Sequence, residues 1–397
     1  MTLPASVGAQ FPDALSSRLI ALRRAIHQHP ELAFHESETA RRLVAALREV
    51  GVDDVRTVAS TGVIARVPGR RRSGPVVALR GDIDALPIEE ATGLPFSSQV
   101  PGVMHACGHD VHATWAVAAA ALLAASPAAG DVIVVLQPAE ETGKGALAIL
   151  ESGALDGVSA IFGGHVDRRF PVGQVVADEG PLAASADVFE IELVGAGAHG
   201  ARPHEARDPI VAMASIVSAL QTIVSRRLNP ATPGVVTIGT VRAGSAPNII
   251  PERAHLSGTV RAVDPKSRDL MLGEVKRMSE EIASGLGVEA RVTLDRGTPP
   301  IVNPPAATAW ARYAATTVLG AENVVPLGFL NRAGEDFAHY MERVPGCFLR
   351  VGACEPNGPV IPAHAPKFFA AEESIFVGAA VLAECARVAS QALSISD

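Results

Sequence analysis

Short runs rich in apolar and β-branched residues constrain the fold of this chain more than any other feature. The clearest of them span residues 63–67, 76–79 and 132–136, and helical patterns separate some of them. Runs of this length and composition predict strands rather than helices. Strands that alternate with helices predict an α/β domain whose sheet is mainly parallel.

The middle of the chain follows a different pattern. Alternating apolar and polar residues predict four half-buried strands, and apolar residues at helical spacing predict two helices. The strands cover residues 188–194, 234–241, 254–263 and 291–294, and the helices cover residues 209–226 and 268–286. After Gly297 the α/β character returns. We therefore predict a larger α/β domain, residues 1–183 and 298–397, and an inserted smaller α+β domain, residues 184–297, with a four-stranded sheet and two helices.

Composition and charge exclude several classes of protein. The chain has 397 residues, of which 48% are hydrophobic and 19% charged, so it can bury a large core and is not a disordered chain. Its net charge of -8 argues against nucleic-acid binding, which needs a basic surface stripe. The alanine-rich run at residues 113–125 is too short to span a bilayer and predicts a buried helix. We expect no membrane association.

The compartment is inferred from the N-terminal segment and from the cysteines. The first residues lack the basic region followed by an apolar region that marks an export signal. The four cysteines, Cys107, Cys347, Cys354 and Cys385, lack the spacing of a disulfide framework. We therefore expect a cytoplasmic protein whose cysteines are reduced.

Polar groups cluster where the predicted strands end. Three apolar runs lead directly into RGDID at residues 80–84, QPAEE at 137–141 and GGH at 163–165. Ligands of open α/β sheets bind outside the carboxyl ends of strands. A fourth segment, MHACGHDVH at residues 104–112, adds three histidines, a cysteine and an aspartate. Thiolate, imidazole and carboxylate together suit a divalent transition metal such as zinc, or manganese where oxygen ligands dominate.

Each of these groups also has an ordinary structural explanation. A lone Cys107 is usually buried packing, a lone His165 is usually a core histidine, and Asp110 is placed to cap the helix that follows it. The adjacent Glu89 and Glu90 predict a solvated pair. Taken together at strand ends, however, the remaining groups favour a metal site.

Nine motifs in this chain resemble a known family. They are, in order, RRAIHQHPELAFHESETA, RGDIDALPIEE, MHACGHDVHAT, LQPAEE, GGHV, GAGAHGARPHEARDPI, APNIIPERAHLSGTVRA, GEDFAHY and PAHAPKFF. They resemble the metallopeptidase family of aminoacylases, carboxypeptidase G-type enzymes, hippurate hydrolases and plant auxin-conjugate hydrolases. The sequence Cys107-Gly108-His109 is similar to the N-acyl amino acid amidohydrolase branch. The resemblance covers nearly the whole chain, so it is more specific than any single motif.

The resemblance implies a role for each residue of the larger domain's site. The implied ligands of two divalent ions, zinc or manganese with cobalt or nickel as further possibilities, are Cys107, His109, Glu141, His165 and His364. Glu140 is the implied general base, and Asp84 the carboxylate that orients a ligand imidazole. Many members have His-x-Asp where this chain has Asp82-Ile83-Asp84, and Cys107 is expected to compensate for the lost histidine.

The resemblance also implies roles for the inserted domain, which would act as a lid and form a homodimer or a dimer of dimers. His199 would reach the active site of the partner subunit and stabilise the oxyanion, whereas without the resemblance it is a surface-loop histidine. Asn248 would contact the substrate. Arg261 and Arg296 are candidates to pair with the substrate carboxylate, and the alternative is that both are surface charges.

The expected function is metal-dependent hydrolysis of the amide bond of N-acyl amino acids, such as hippurate-like or N-acetyl conjugates, to a carboxylic acid and a free amino acid. The alternatives within the enzyme class are a dipeptidase or carboxypeptidase, and a carbamoyl-amide hydrolase. A non-enzyme alternative is a ligand-binding relative without turnover. The presence of Glu140 and of all five implied ligands argues against that last alternative.

Overall fold

Helices alternate with strands over most of the chain. A computed structural model describes residues 3–329 and 333–395. The helices are α1 (Ala5–Gly8), α2 (Asp13–Gln28), α3 (Ser37–Glu49), α4 (His109–Ala125), α5 (Gly145–Glu151), α6 (Pro209–Thr222), α7 (Pro265–Gly285), α8 (Pro305–Leu319), α9 (Phe337–Met341) and α10 (Ser374–Leu393). The strands are β1 (Val55–Val58), β2 (Gly62–Val67), β3 (Val76–Asp82), β4 (Val132–Gln137), β5 (Val158–Pro171), β6 (Val175–Val176), β7 (Gly180–Ala183), β8 (Asp187–Val194), β9 (Ala198–His199), β10 (Gly234–Ala243), β11 (Ile249–Ile250), β12 (Arg253–Ala262), β13 (Glu289–Asp295), β14 (Ile301–Asn303) and β15 (Gly346–Cys354).

The chain passes from one compact unit into a second and then returns to the first. The first unit comprises Met1–Gly180, Asn303–Phe329 and Asp336–Asp397, and the second comprises Pro181–Val302 and Leu330–Glu335. The second unit therefore interrupts the first in the sequence, where the pattern of alternating, half-buried strands begins.

A seven-stranded sheet forms the centre of the first unit, in the order β1-β2-β4-β3-β5-β15-β6. Strands β4, β3, β5 and β15 are parallel to one another, and β1, β2 and β6 pair with their neighbours in the antiparallel sense. Strands β4 and β15 are buried along their whole length. This confirms the predicted α/β fold with a mainly parallel sheet, in which the inner strands are covered on both faces.

The helices that cover the sheet owe their close packing to small residues. The alanine-rich run lies in α4, which is buried along nearly all of its length, as the sequence predicts. Trp115 of α4 is fully buried against α10. A Cβ on Gly378 of α10 would lie 2.3 Å from the Trp115 ring, so glycine is required for this approach.

Strand β5 corrects one expectation. The sequence predicts a strand that ends before Gly163, but β5 continues to Pro171 because β15 pairs with it in parallel over that length. Glycine is needed at position 163 within this strand, because a Cβ there would lie 2.7 Å from the ring of Phe337. His165 therefore lies inside a paired strand and not in the loop that follows one.

The second unit contains an antiparallel sheet in the order β10-β12-β8-β13. Strand β8 alternates between buried and more exposed residues, and its buried Phe189, Ile191 and Leu193 pack in one cluster with residues of α6 and α7. Both helices begin at an aspartate that accepts a backbone hydrogen bond, Asp208 for α6 and Asp264 for α7. Two short pairs, β9 with β11 and β7 with β14, complete the strands of the described residues.

Two helices are long and apolar enough to cross a membrane by length and composition alone. They are Ser374–Leu393, whose apolar window is 72% buried, and Pro209–Arg227, whose window is 28% buried. The first is a core helix of the first unit. The second continues α6 through a π-helical turn, and its apolar side chains Ile210 and Val211 are exposed.

Candidate metal centre

The segment that leads into α4 positions two of the predicted ligands, Cys107 and His109. Gly108 lies between them with a φ of +90° and forms the N-cap of α4. A Cβ at this position would lie 2.4 Å from Cγ2 of Val166 in β5. Glycine therefore satisfies both the backbone conformation and the close approach to the strand that carries His165.

The other three predicted ligands lie in a 3-10 turn, a strand and a loop. Glu141 lies in the single 3-10 turn Glu140–Thr142 that follows β4, and His165 lies in β5. His364 has a φ of +67°, and its backbone N–H donates to the carbonyl oxygen of Ala106 over 2.8 Å. This hydrogen bond ties the His364 loop to the segment that carries the first two ligands.

The ligand atoms form two groups of three that share Cys107. One group is Cys107, His109 and His165, the other is Cys107, Glu141 and His364, and the atoms of each group lie within 4.8 Å of one another. Sγ of Cys107 is 3.2 Å from Nε2 of His165, and Nε2 of His364 is 3.2 Å from Oε1 of Glu141. Two overlapping groups suit two ions better than one tetrahedral site.

Two buried atoms test whether a cation fits here. Nε2 of His109 and Oε1 of Glu141 are buried, and, apart from the 3.2 Å contact between Glu141 and His364, neither has a polar partner at hydrogen-bond geometry within the part of the chain that the structure describes. A buried polar atom left in this state costs roughly 1–3 kcal/mol. Both atoms belong to the ligand groups, and a divalent cation would satisfy them. The donor set therefore fits the predicted metals.

Asp84 orients two ligands at once. Its Oδ1 accepts a hydrogen bond from Nδ1 of His109 over 3.1 Å, and its Oδ2 accepts from the backbone N–H of Glu141 over 3.0 Å. Nδ1 of His165 donates to the carbonyl oxygen of Val166 over 2.7 Å. Because both imidazoles carry their proton on Nδ1, both present the lone pair of Nε2 to the site.

The pKa values of the ligands reflect burial among charges. Burial raises the pKa of the Cys107 thiol well above its usual value, and the charges of Glu141 and Glu140 add to this. Burial lowers the pKa of His109, but the charge of Asp82 and the hydrogen bond to Asp84 outweigh it and raise this pKa well above normal. Without a cation, protons are therefore held firmly by both side chains.

Glu140 lies beside the ligands and is oriented by a different element. Its Oε2 is 3.8 Å from Nε2 of His109, and its Oε1 is 3.4 Å from the backbone N–H of Asp336 at the start of α9. The carboxylate of Asp336 is fully buried and accepts from the Gln137 side chain, over 2.8 Å, and from the Ala146 N–H, over 2.9 Å. Asp336 therefore fixes both ends of the loop that carries Glu140.

Asp82 stands where the resemblance led us to expect a histidine, and its side chain is surrounded by partners within the protein. One of its oxygens accepts from Nδ1 of His112 over 2.6 Å, and the other forms an ion pair with Arg80. Nε2 of His112 accepts from the backbone N–H of Val166 over 2.9 Å. Asp82 and His112 lie close enough to His109 to form a further candidate ligand group, but both oxygens of Asp82 and both ring nitrogens of His112 already contact other groups of the protein.

Asp110 does not cap α4, so that alternative is wrong. Its Oδ2 instead accepts from Nε of Arg23 over 2.7 Å and from Nδ1 of His27 over 2.8 Å, all within a buried cluster. Although burial opposes ionisation, the charge of Arg23 holds the pKa of Asp110 far below its usual value. The ion pair ties α2 to the beginning of α4, next to the predicted metal ligands.

The prediction of a solvated Glu89–Glu90 pair is wrong for Glu90. The Glu90 side chain is only 4% exposed and accepts from the Ser98 N–H over 2.6 Å. It also contacts Nε2 of His27 at 3.3 Å. Burial opposes its ionisation, but the hydrogen bonds from His27 and Thr92 lower its pKa to about 2.

In the second unit, His199 and Asn248 lie side by side. Strand β9 pairs His199 with Ile249 of β11, and the Gly200 N–H donates to the carbonyl oxygen of Asn248 over 2.8 Å. Nδ1 of His199 accepts from the Ala201 N–H over 3.1 Å. In a neutral ring the proton is therefore on Nε2, and the exposed side chain can donate a hydrogen bond.

The two candidate arginines have different surroundings. Arg261 is half-buried in β12, with Nη1 at 3.4 Å from the carbonyl oxygen of Ser185. Arg296 is exposed and forms an ion pair with Asp269 of α7 over 2.5 Å. The alternative of a surface charge therefore suits Arg296 better than Arg261.

Sequence reasoning missed several residues that hold the site in place. Arg80, Gln137 and Glu36 are fully buried polar side chains that contact the segments of the ligands or of Glu140. Arg80 and Gln137 belong to the RGDIDALPIEE and LQPAEE motifs, which is the signal that could have marked them. Glu36 lies in the HESETA part of the N-terminal motif, far from Glu140 in sequence.

Comparison with known sequences places these residues among related proteins. Residues 78–388 match the family described as Peptidase family M20/M25/M40. The chain is 42% identical over 382 residues to an N-acetylcysteine deacetylase of Bacillus subtilis, which covers 94% of this chain and 97% of the relative. It is 37% identical over 382 residues to an IAA-amino acid hydrolase of Arabidopsis thaliana, covering 93% and 84%.

Two solved structures superpose on nearly the whole chain. A putative aminohydrolase from methicillin resistant Staphylococcus aureus superposes with a TM-score of 0.89 at 35% identity, covering 95% of this chain and 97% of that one. A dinuclear metal binding peptidase from the M20 family, from Bacillus subtilis, superposes with a TM-score of 0.84 at 38% identity, covering 96% and 99%.

Proposed function

The chain belongs to peptidase family M20/M25/M40, and from this premise we propose that it hydrolyses the amide bond of N-acyl amino acids with the help of two divalent metal ions. The observation that carries the proposal is the pair of ligand groups that share Cys107, with Glu140 beside them. The products are a carboxylic acid and a free amino acid. The N-acetylcysteine deacetylase and IAA-amino acid hydrolase names of two relatives support this substrate class.

Two adjacent glutamates divide the work. Glu141 has its backbone held by Asp84 and its carboxylate beside His364, so it serves as a ligand. Glu140 is oriented by a backbone N–H and accepts the proton of the attacking water, then passes it to the leaving nitrogen. Such acid–base catalysis contributes ~10² to 10⁴ in rate. The divalent ions, when bound, supply Lewis acidity to the water and to the substrate carbonyl.

The finer assignments extend the same proposal. The ions are zinc or manganese, with cobalt or nickel as alternatives, because the donor set mixes thiolate, imidazole and carboxylate. His199 donates from Nε2 to the oxyanion, Asn248 contacts the substrate beside it, and Arg261 is the better candidate for its carboxylate. The four cysteines are free and the net charge is -8, which supports a cytoplasmic protein without nucleic-acid partners.

Turnover of a panel of N-acyl amino acids tests the proposal directly. The panel contains N-acetyl and N-benzoyl amino acids, dipeptides and N-carbamoyl amino acids, each assayed with added Zn²⁺ or Mn²⁺. We expect the highest kcat/KM for the N-acyl compounds. Preference for dipeptides or carbamoyl compounds would favour the alternative hydrolases, and substrate binding without turnover would favour a binding protein.

We expect each subunit to bind two divalent ions. The five ligand side chains exceed the requirement of one tetrahedral site. Protein purified without chelator and reconstituted should approach two equivalents by elemental analysis, and the metal affinity should fall as the pH is lowered. The sign follows because the Cys107 thiol and the imidazoles must lose protons to bind, and the raised pKa values of Cys107 and His109 strengthen this competition. Saturation at one equivalent would contradict the mechanism.

The second unit is proposed to form a homodimer, alone or within a dimer of dimers. Strand β10 is at the edge of its sheet and pairs only with β12 among the described strands. Val241 of this edge strand is 53% exposed, and Val211 of α6 is 51% exposed. The second unit therefore has both an unpaired strand edge and exposed apolar side chains. A second copy of this chain would cover both.

Charged substitutions on this surface should separate the dimer. Val211→Glu combined with Val241→Glu is expected to give a species of 41.0 kDa by light scattering. If His199 acts across the dimer, this monomer should also lose activity at least ~100-fold, the usual effect of losing an oxyanion donor. Val360→Glu, which changes a 61% exposed valine of the first unit, is the control and should remain dimeric and active. An unchanged mass for the double variant would refute this interface.

A further inference from the structure

The residue before Glu140 has an unusual backbone. Ala139 is fully buried and has φ of 54° and ψ of 38°, in the left-handed region. This region is unfavourable for a residue that carries a Cβ, so the surrounding structure must impose it. The conformation turns the chain sharply between the end of β4 and the 3-10 turn that carries both glutamates.

Glu36, at the N-cap position of α3, supplies that constraint from another part of the first unit. Its Oε1 accepts from the backbone N–H of Ala139 over 2.9 Å, and its Oε2 accepts from the hydroxyl of Thr61 over 2.5 Å. The Glu36 side chain is fully buried. Both carboxylate oxygens are therefore engaged, one by the residue before Glu140 and one by the turn between β1 and β2.

The loop closes back onto the same residue. The carbonyl oxygen of Ala139 accepts from the Gly145 N–H over 3.2 Å and from the Thr142 hydroxyl over 3.0 Å. A Cβ on Gly145 would lie 1.7 Å from the carbonyl oxygen of Pro138, so only glycine permits this closure. Ala139 thus joins both ends of the loop, and a rotation at its backbone would move Glu140 relative to the ligands.

We propose that Glu36 is a positioning residue for Glu140, which it holds in place by fixing the left-handed conformation of Ala139 through one hydrogen bond. The proposal rests on the proposed role of Glu140 as the general base. Glu36 itself does not touch the substrate or the ions. It acts on the orientation of the base, so its loss should affect the chemical step more than substrate binding or metal binding.

The buried surroundings of Glu36 indicate that its carboxylate serves to hold the two hydrogen bonds to Ala139 and Thr61. Burial raises the pKa of Glu36, and the nearby charge of Asp84 acts in the same direction. An acidic side chain in such a place is costly unless its hydrogen bonds offset the cost. Those hydrogen bonds lead to Ala139 and Thr61.

Replacement of Glu36 by Ala and by Gln separates geometry from charge. Glu36→Ala should lower kcat by ~10- to 100-fold, since a misplacement of about 1 Å in a catalytic group has effects of this size. KM should stay within about twofold, and two equivalents of metal should still bind, because no ligand is altered. Glu36→Gln should retain most of the activity, because its amide oxygen can accept from the Ala139 N–H while its NH₂ donates to Thr61.

Glu31→Ala is the matched control. The Glu31 carboxylate accepts from the Thr39 N–H over 2.8 Å and from the Glu38 N–H over 3.2 Å at the start of the same helix. Its removal should lower the melting temperature without changing kcat per folded molecule. An equal loss of kcat in Glu31→Ala and Glu36→Ala, or a loss in Glu36→Ala that Glu36→Gln does not restore, would overturn the proposal. If Glu36→Ala does not fold, Glu36→Asp, whose carboxylate is one methylene too short, takes its place.

Hydrogen exchange gives a second test that does not depend on activity. Peptides covering residues 137–145 are measured by mass spectrometry on the metal-loaded protein. Their amide hydrogens should exchange faster in Glu36→Ala than in wild type, and at the wild-type rate in Glu31→Ala. Unchanged exchange in Glu36→Ala would refute the role of Glu36. Absence of turnover by the wild-type protein would instead refute the proposed function, so the two failures can be told apart.

Discussion

Replacement of Glu140 by Gln should lower kcat at least ~100-fold and leave two equivalents of metal bound. Glutamine has nearly the same shape, and its amide oxygen can still accept from the Asp336 N–H that contacts Oε1 of Glu140 at 3.4 Å. It cannot take a proton from water at neutral pH. The measurement is kcat on an N-acetyl amino acid at saturating metal, together with elemental analysis of the same sample.

Glu141→Gln is the matched comparison, because the two residues are adjacent and the change is identical. Oε1 of Glu141 lies 3.2 Å from Nε2 of His364, and both belong to one ligand group. This variant should lose metal affinity first, and added metal should restore part of its activity. If Glu140→Gln kept more than about a tenth of kcat, its assignment as the general base would be wrong.

The fold was predictable where the sequence pattern is set by local burial. The runs at residues 76–79 and 132–136 appear as β3 and β4, with strand ends extended to Asp82 and Gln137. Strand β15 was not predicted, although it lies between β5 and β6. It is buried on both faces, so its residues show no alternation, and it mixes glycine, cysteine and arginine with apolar residues. Its partner β5 is distant in sequence, so pairing rather than local pattern defines both strands.

The grouping of the candidate site's side chains was predictable to the extent that ligand-type residues follow predicted strands. The partners of each charged residue were not predictable, since tertiary contacts determine them. Asp82 pairs with Arg80 and His112, and Glu90 is buried against Ser98 and His27. The left-handed Ala139 has no sequence signal, because alanine favours no such conformation and the constraint comes from a distant carboxylate.

His199 offers a test that joins architecture to mechanism. Its side chain is exposed in the second unit, and its Nδ1 accepts from the Ala201 N–H, so its Nε2 is the donor. If His199 of each subunit enters the active site of its partner in a symmetric dimer, each active site combines Glu140 of one subunit with His199 of the other. His199→Ala alone should then lose ~10² to 10³ in kcat, as other enzymes do without one oxyanion donor. His204→Ala, which changes an exposed histidine close to His199 in the sequence, should be nearly neutral.

Mixing the two inactive variants should restore activity. A heterodimer of Glu140→Gln and His199→Ala subunits has one site with native Glu140 and native His199, and one site that lacks both. Random exchange makes half of the dimers heterodimers, so activity should recover to about a quarter of the wild-type value after co-refolding. Each variant refolded alone is the baseline. A mixture of Glu140→Gln with His204→Ala subunits, which should have about half of the wild-type activity with or without exchange, is the control for activity lost during co-refolding. If subunit exchange is confirmed by a mass tag and the first mixture stays at its baseline, His199 does not act across the dimer, because a histidine that serves its own subunit cannot repair any site in the mixture.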